Sequence, residues 1–227
     1  MGDGYDVGRG WRIYGAVMTK RLILVGCGAF ARELINWVED LVDLGKIIPV
    51  SGFLDDNPDA LSAFSYSVPY ISSIQSYIPE DGDQLLMAVG DPIAKKKLYA
   101  ELKEKGASFA QLIHPSAVVA RTAKLGEGVV VCPQAFVSAD AIVGELCAIN
   151  GNASVGHDVK LGAFSTLSSH VDLTGWVQVD ECVFLGSGAR VLPKVKIATG
   201  ARIGAGAVVM RSVPVDAVVY APPAKRL

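Results

Sequence analysis

From Ile113 to Val215 every sixth residue of the chain is aliphatic: Ile113, Val119, Leu125, Val131, Val137, Val143, Ile149, Val155, Leu161, Leu167, Leu173, Val179, Leu185, Val191, Ile197, Ile203, Val209 and Val215. Val, Ile and Leu make up 63 of the 227 residues, so chance placement would give such a run about once in ten billion trials in a given phase. A fixed internal period decides architecture before local propensity does. A strand rises about 3.3 Å per residue, so six residues make one short flat face and a corner, and three hexads close a triangular coil. The aliphatic residue points inward. The residue four places later is again small, from Ala117 through Cys147, Ser165 and Ala189 to Val213, and fits the tight corner. Glycine often follows the aliphatic directly (Gly126, Gly144, Gly156, Gly162, Gly186, Gly204), where it is expected to supply the backbone angles of the turn. Intervals without insertion up to Val215 predict nearly six stacked coils around a dry core. Such a core accounts for 51% hydrophobic residues with only 7% aromatic ones.

Upstream of the repeat the pattern changes. Arg21–Val25 is a short apolar run ending in Gly26-Cys27-Gly28, after which Phe30, Leu34, Val38 and Leu41 recur at helical spacing until Gly45. A second strand, 50–54, ends in Asp55-Asp56-Asn57-Pro58, and a third, 85–89, ends in Gly90-Asp91-Pro92 before a helical stretch. Strands with glycine or acidic tips and intervening helices predict a small parallel α/β sheet, in which ligands sit at the carboxyl ends of the strands. A third glycine, which a dinucleotide fingerprint requires, is missing after Gly28. The predicted organisation is a leader over 1–18, an α/β domain over 19–108 and a β-helix over 109–227. Lys95-Lys96-Lys97 reads as a solvated helix face, and Trp37 lies beside the apolar stripe.

A formal charge of −2 gives no basic footprint for nucleic acid and no polybasic membrane patch. Every apolar run is broken well before the ~18 residues that a spanning helix needs. The Gly-rich leader lacks the apolar region of a secretory signal, so a cytoplasmic product is expected, with Met18 a candidate start. Cys27, Cys132, Cys147 and Cys182 form no CxxC pair and read as small apolar filler.

With these motifs in view, GCGAFARE at 26–33, GFLDDNP at 52–58, AVGDP at 88–92, LIHPSA at 112–117, NGNASVGHDVKLGAFS at 150–165, FLGSGARVLP at 184–193 and the closing PPAKRL, the chain resembles a known family. It is the bacterial sugar acetyltransferase family: a small parallel-sheet α/β N-terminal domain followed by a left-handed parallel β-helix of hexapeptide repeats. The family includes N-acetyltransferases of nucleotide-linked 4-amino sugars and proteins labelled sialic acid O-acetyltransferases. The resemblance implies His157 as catalytic base, Asp158 beside it and Asn150 as a further active-site position. It implies acetyl-CoA as co-substrate, with Gly175, Ser187 and Ala205 on the cofactor side and the Gly175 N–H facing the thioester oxygen. On the substrate side it implies Gly26, Gly28, Phe30, Asp55, Asp56 and Gly90, gripping a nucleotide-linked amino sugar. It also implies a homotrimer, a place in surface-glycan biosynthesis and no metal. Two departures stand out: Phe30 and Thr166 occupy positions where the family commonly carries His, and His170 stands where a glycine is usual.

The chemistry that follows is direct acyl transfer. A sugar amine is largely an ammonium at neutral pH and must lose a proton before it attacks a thioester; an imidazole, titrating at about 6.5 in isolation, suits that task. Sugar or sialic acid O-acetylation is the runner-up. A non-catalytic β-helix scaffold and a metal-dependent hydratase are further alternatives; the latter would have to converge His114, His157 and His170, the only three histidines, from three different hexad positions.

Overall fold

The computed structural model describes residues 21–222 together with 224 and 225; the expected leader over 1–18 and parts of the closing PPAKRL motif lie outside them. The N-terminal unit runs β1 (Arg21–Val25), α1 (Ala29–Asp43), β2 (Val50–Leu54), β3 (Tyr70–Ser72), β4 (Asp83–Met87) and α2 (Pro92–Glu104). Its strands form one parallel sheet in the order β3-β2-β1-β4. β3 was not expected: it is a three-residue edge strand with no apolar run to announce it. The third predicted strand lies two residues earlier than its apolar run suggested, because Asp83 enters the ladder opposite Arg21. Ala31, Leu34, Ile35, Val38 and Leu41 of α1 are buried against the sheet, the stripe that the helical spacing predicted.

The rest of the chain is a three-faced parallel solenoid. Face one stacks β5 (Leu112–Ile113), β8 (Val130–Val131), β11 (Ala148–Ile149), β14 (Thr166–Leu167), β17 (Phe184–Leu185), β20 (Arg202–Ile203) and β22 (Val218–Val219). Face two stacks β6 (Val118–Val119), β9 (Phe136–Val137), β12 (Ser154–Val155), β15 (Asp172–Leu173), β18 (Arg190–Val191) and β21 (Val208–Val209). Face three stacks β7 (Lys124–Leu125), β10 (Ile142–Val143), β13 (Lys160–Leu161), β16 (Gln178–Val179) and β19 (Lys196–Ile197). The predicted aliphatics from Ile113 to Val209 each end a two-residue strand and point into one continuous core. This is the stacked triangular coil expected from the repeat, in the left-handed β-helix class that the resemblance implies.

Two details of the repeat differ from expectation. The left-handed backbone angle falls three residues after the aliphatic, at Asp140, Asn152, Asp158, His170 and Trp176 among others, and not at the glycine that follows it. Those glycines answer a steric demand: a Cβ on Gly144 would come within 2.6 Å of the Ala163 nitrogen, and one on Gly162 within 2.3 Å of the Asp180 carbonyl carbon. Backbone of the next coil passes where a side chain would be. The period also loses two residues in the last coil. Val213 pairs with Ile197 and is buried, whereas Val215, expected to point inward, is 61% exposed.

The α/β unit lies against face one. Leu112, Val130 and Cys132 share a core with Cys27, Ala31 and Leu34, while Leu146, Phe164 and Cys182 share one with Leu102 and Phe109. No helix among the described residues is long and apolar enough to cross a membrane.

Candidate active site

His157 stands two residues past the inward Val155, on the corner between faces two and three, with its side chain half-exposed. Its Nδ1 lies 2.8 Å from Asp158 Oδ2. With Nδ1–H donating to that carboxylate, Nε2 is the nitrogen free to accept a proton. The Asp158 carboxylate reaches back because Asp158 occupies the left-handed corner position, φ 59°, where its own N–H donates to the Ala139 carbonyl. Gly175 sits one coil further on. A Cβ placed there would be 2.5 Å from His157 Nε2, so the glycine leaves the space that the ring fills. The Gly175 N–H has no hydrogen-bond partner among the described residues. Trp176, whose N–H donates to the His157 carbonyl, packs edge-on to the imidazole at 4.3 Å between centroids. Lys194 Nζ lies 5.9 Å from the Trp176 ring centre. One corner therefore holds a base with a fixed tautomer, a free backbone donor and an exposed aromatic wall.

Asn150 is elsewhere. It lies on the corner between faces one and two, where its Nδ2 donates to the Leu167 carbonyl and its Oδ1 faces Cys132 Sγ. Ser187 and Ala205 are exposed on the same corner, and His170 occupies its left-handed position, also exposed. Within one chain the predicted residues thus divide between the two edges of face two. His114 is committed to Asp40 and Ser116.

The strand tips of the α/β unit form a second cluster. Gly26, φ 83°, makes the turn after β1; a Cβ there would strike the Val89 side chain beside it. Asp55 braces that turn, accepting from Cys27 N at 2.7 Å and Asn57 N at 2.9 Å, and Asp56 is left exposed beside it. Gly28 precedes α1 without any side-chain cap, and nothing lies within 4 Å of the Cβ position of either Gly28 or Gly90. Phe30 is half-buried, edge-on to Trp37. All four cysteines are buried and free; burial pushes the Cys27 thiol up to about 11 and the Cys147 thiol up to about 12, which keeps both protonated.

The basic run on α2 is a correction. Lys95 is 1% exposed, with Nζ donating to the Leu146 carbonyl at 2.9 Å, the Ser165 carbonyl at 3.3 Å and Thr166 Oγ1 at 2.9 Å. Only Lys96, paired with Glu181, and Lys97, near Glu101, lie on a solvated face. The signal was available: Lys95, Leu98 and Leu102 share the helical spacing of a buried stripe.

A hexapeptide solenoid with an oriented imidazole at an open corner defines a β-helix acyltransferase. The profile of the PglD N-terminal domain matches residues 21–102. PerB from Caulobacter crescentus, solved with CoA and GDP-perosamine, is 34% identical, with 93% of this chain and 99% of that one covered and a TM-score of 0.79. The acetyltransferase domain of PglB from Neisseria gonorrhoeae FA1090, solved with acetyl coenzyme A, is 28% identical, with 92% and 100% covered and a TM-score of 0.80. A serine acetyltransferase of Buchnera aphidicola is 44% identical over 43 residues; that match spans 19% of this chain and 16% of the length of that curated relative. The chain belongs to the left-handed β-helix sugar acetyltransferase family.

Proposed function

We propose that the protein transfers the acetyl group of acetyl-CoA to the amine of a nucleotide-linked 4-amino sugar. The observation that carries this reading is the His157 imidazole, bonded through Nδ1 to Asp158, with Nε2 beside Gly175 one coil away. In this reading the sugar ammonium first gives one proton to solvent, and Nε2 takes a second from the nitrogen as the neutral amine attacks the thioester carbonyl. The free Gly175 N–H stabilises the oxyanion of the tetrahedral intermediate. Collapse of that intermediate breaks the C–S bond, and His157 returns the proton to the departing sulfur. PerB, solved with CoA and a GDP-linked amino sugar, supports the same pair of substrates here.

The sugar nucleotide is assigned to the strand tips, where Gly28 and Gly90 leave open space and the uncapped N-terminus of α1 favours an anion. The active assembly is a trimer. Residues implied for one site fall on both edges of face two, and the outward residues of that face include exposed Val118, Phe136 and Val208. Three copies with face two toward a common axis would join the His157 corner of one chain to the Asn150 corner of the next. The test is acetyl-CoA consumption with UDP-, GDP- and dTDP-linked 4-amino sugars, alongside light scattering. Turnover with one of these acceptors, abolished in His157→Ala, and a mass of about 72 kDa, three times 23.9 kDa, are expected. A fully active monomer, or near-native turnover in His157→Ala, would overturn the reading.

A further inference from the structure

Lys95 is a buried cation whose hydrogen-bond partners include no carboxylate among the described residues, and the acetyl transfer just described makes no use of it. Its three N–H donors meet three acceptors, two carbonyls and the Thr166 hydroxyl. That hydroxyl accepts from the ammonium and therefore has one proton left to donate, which goes to the Gly90 carbonyl at 2.7 Å. Gly90 follows β4, whose end lies beside that of β1 through the Ala88 N–H bond to the Val25 carbonyl; Val89 reaches the Gly26 turn, and nothing lies within 4 Å of the Gly90 Cβ position. The relay thus runs from α2 through face one of the solenoid to the carboxyl edge of the α/β sheet. Asp91, the next residue, caps α2 by accepting from Ile93 and Ala94, so the same peptide segment also starts that helix.

We propose that Lys95 and Thr166 are positioning residues for the sugar nucleotide: the ammonium orients the Thr166 hydroxyl, and the hydroxyl fixes the Gly90 peptide at the binding edge. This rests on the assignment of the nucleotide to the strand tips. An uncharged amine has two donors and a lone pair, so it cannot serve all three acceptors. Burial lowers the Lys95 ammonium to about 8, which brings that change within reach of mild alkali. The groups near Nζ are the Cys147 and Cys182 thiols, both pushed up by burial, and Asp91, held low chiefly by its bond from the Ala94 N–H. The Lys96–Glu181 pair lies on the outer side of the helix. The two thiols and the Lys96 ammonium hold their protons longer than Lys95 as pH rises from 7 to 9, and Asp91 is ionised throughout.

The test is titration calorimetry of the whole chain with UDP, GDP and dTDP, using Thr166→Val, Thr166→Ser and Lys95→Met. Thr166→Val should weaken the nucleotide that binds best by about 5–20-fold, the worth of one buried hydrogen bond. Thr166→Ser should restore it, and CoA affinity should stay within twofold in both. Affinity of the unaltered chain for that nucleotide should fall between pH 7 and 9, and the fall should be absent in Lys95→Met. Binding by Thr166→Val within twofold of the unaltered chain overturns the inference alone. Failure of the unaltered chain to bind any of the three overturns the strand-tip assignment on which it rests.

Discussion

Gly175→Ala tests whether the glycine serves the base by leaving it room. The added Cβ would lie 2.5 Å from Nε2, 2.6 Å from Cε1 and 3.2 Å from Cδ2 of His157. Ordinary contacts between such atoms begin near about 3.5 Å, so the ring must retreat by roughly 1 Å. Gly175 itself has no left-handed angle, and alanine meets no backbone penalty. The ring can retreat only by giving up the 2.8 Å bond to Asp158 or its edge contact with Trp176. Because the imidazole is half-exposed it swings into solvent, at a stability cost below about 1.5 kcal/mol, the worth of one modest hydrogen bond. A displacement of this size at the reacting nitrogen costs about 10²-fold in rate. The variant keeps its N–H, so a loss of oxyanion stabilisation is not an available cause. Steady-state kcat and a thermal melt on Gly175→Ala, His157→Ala and the double variant decide the matter. The double variant should be no slower than His157→Ala alone, since both act through one group. A kcat for Gly175→Ala within threefold of the unaltered chain, or full additivity in the double variant, would refute the reasoning.

Asp158→Asn preserves the left-handed corner, which Asn tolerates, while removing the carboxylate that fixes the tautomer; kcat should fall about tenfold with little change in melting temperature, and a fall as deep as that of His157→Ala would make Asp158 more than an orienting group. Val213→Asp should cost several kcal/mol by placing a carboxylate in the core, whereas Val215→Asp should be silent within about 0.5 kcal/mol; equal melting temperatures would contradict the shortened last coil. Lys95 also sets a sign for alkaline stability. Its folded value of about 8 lies below the usual 10.5, so between those values the unfolded chain holds a proton that the folded chain has shed. Stability conferred by this group therefore rises with pH across that window, by up to about 3 kcal/mol. The buried thiols, raised by burial, push the other way above about pH 9, so the Lys95 contribution is read as a difference: between pH 7.5 and 10 the denaturant midpoint of the unaltered chain should gain on that of Lys95→Met, and an unchanged difference would show that the amine is not desolvated.

The sequence carried the solenoid almost completely because the repeat is a contact rule. Each hexad packs only on its neighbours one coil away, so a period in the chain is a period in the structure. The rule fails where chain geometry changes without a change of composition. Residues 209–215 offer aliphatics at 209, 213 and 215, and nothing in that spacing says that the coil closes early on Val213. The glycines that follow six of the aliphatics were visible, but their purpose was not: their φ is ordinary, and the demand comes from the next coil, 16 to 19 residues away. The α/β strands were legible from apolar runs, and β3 was not, since three residues on a sheet edge bury too little to leave a pattern.

The candidate site was legible in parts for the same reason. His157, Asp158, Gly175 and Trp176 belong to neighbouring coils, and stacking at one coil per 18 residues brings them together from spacing alone. Asn150 is only seven residues from His157, yet it turns the preceding corner, and proximity in sequence here means separation across face two. Lys95 reaches acceptors 51, 70 and 71 residues away across the junction of two architectures, where neither the helical nor the hexad period applies. Catalysis on such a solenoid belongs at corners and junctions, because faces are spent on strand pairing and the interior on aliphatic packing. On the proposed reading, replacing the half-exposed His157 opens no cavity, so activity should fall while stability holds. The buried Lys95 ammonium at the junction is proposed to serve both stability and binding, so its removal is expected to change stability and nucleotide binding with opposite dependence on pH.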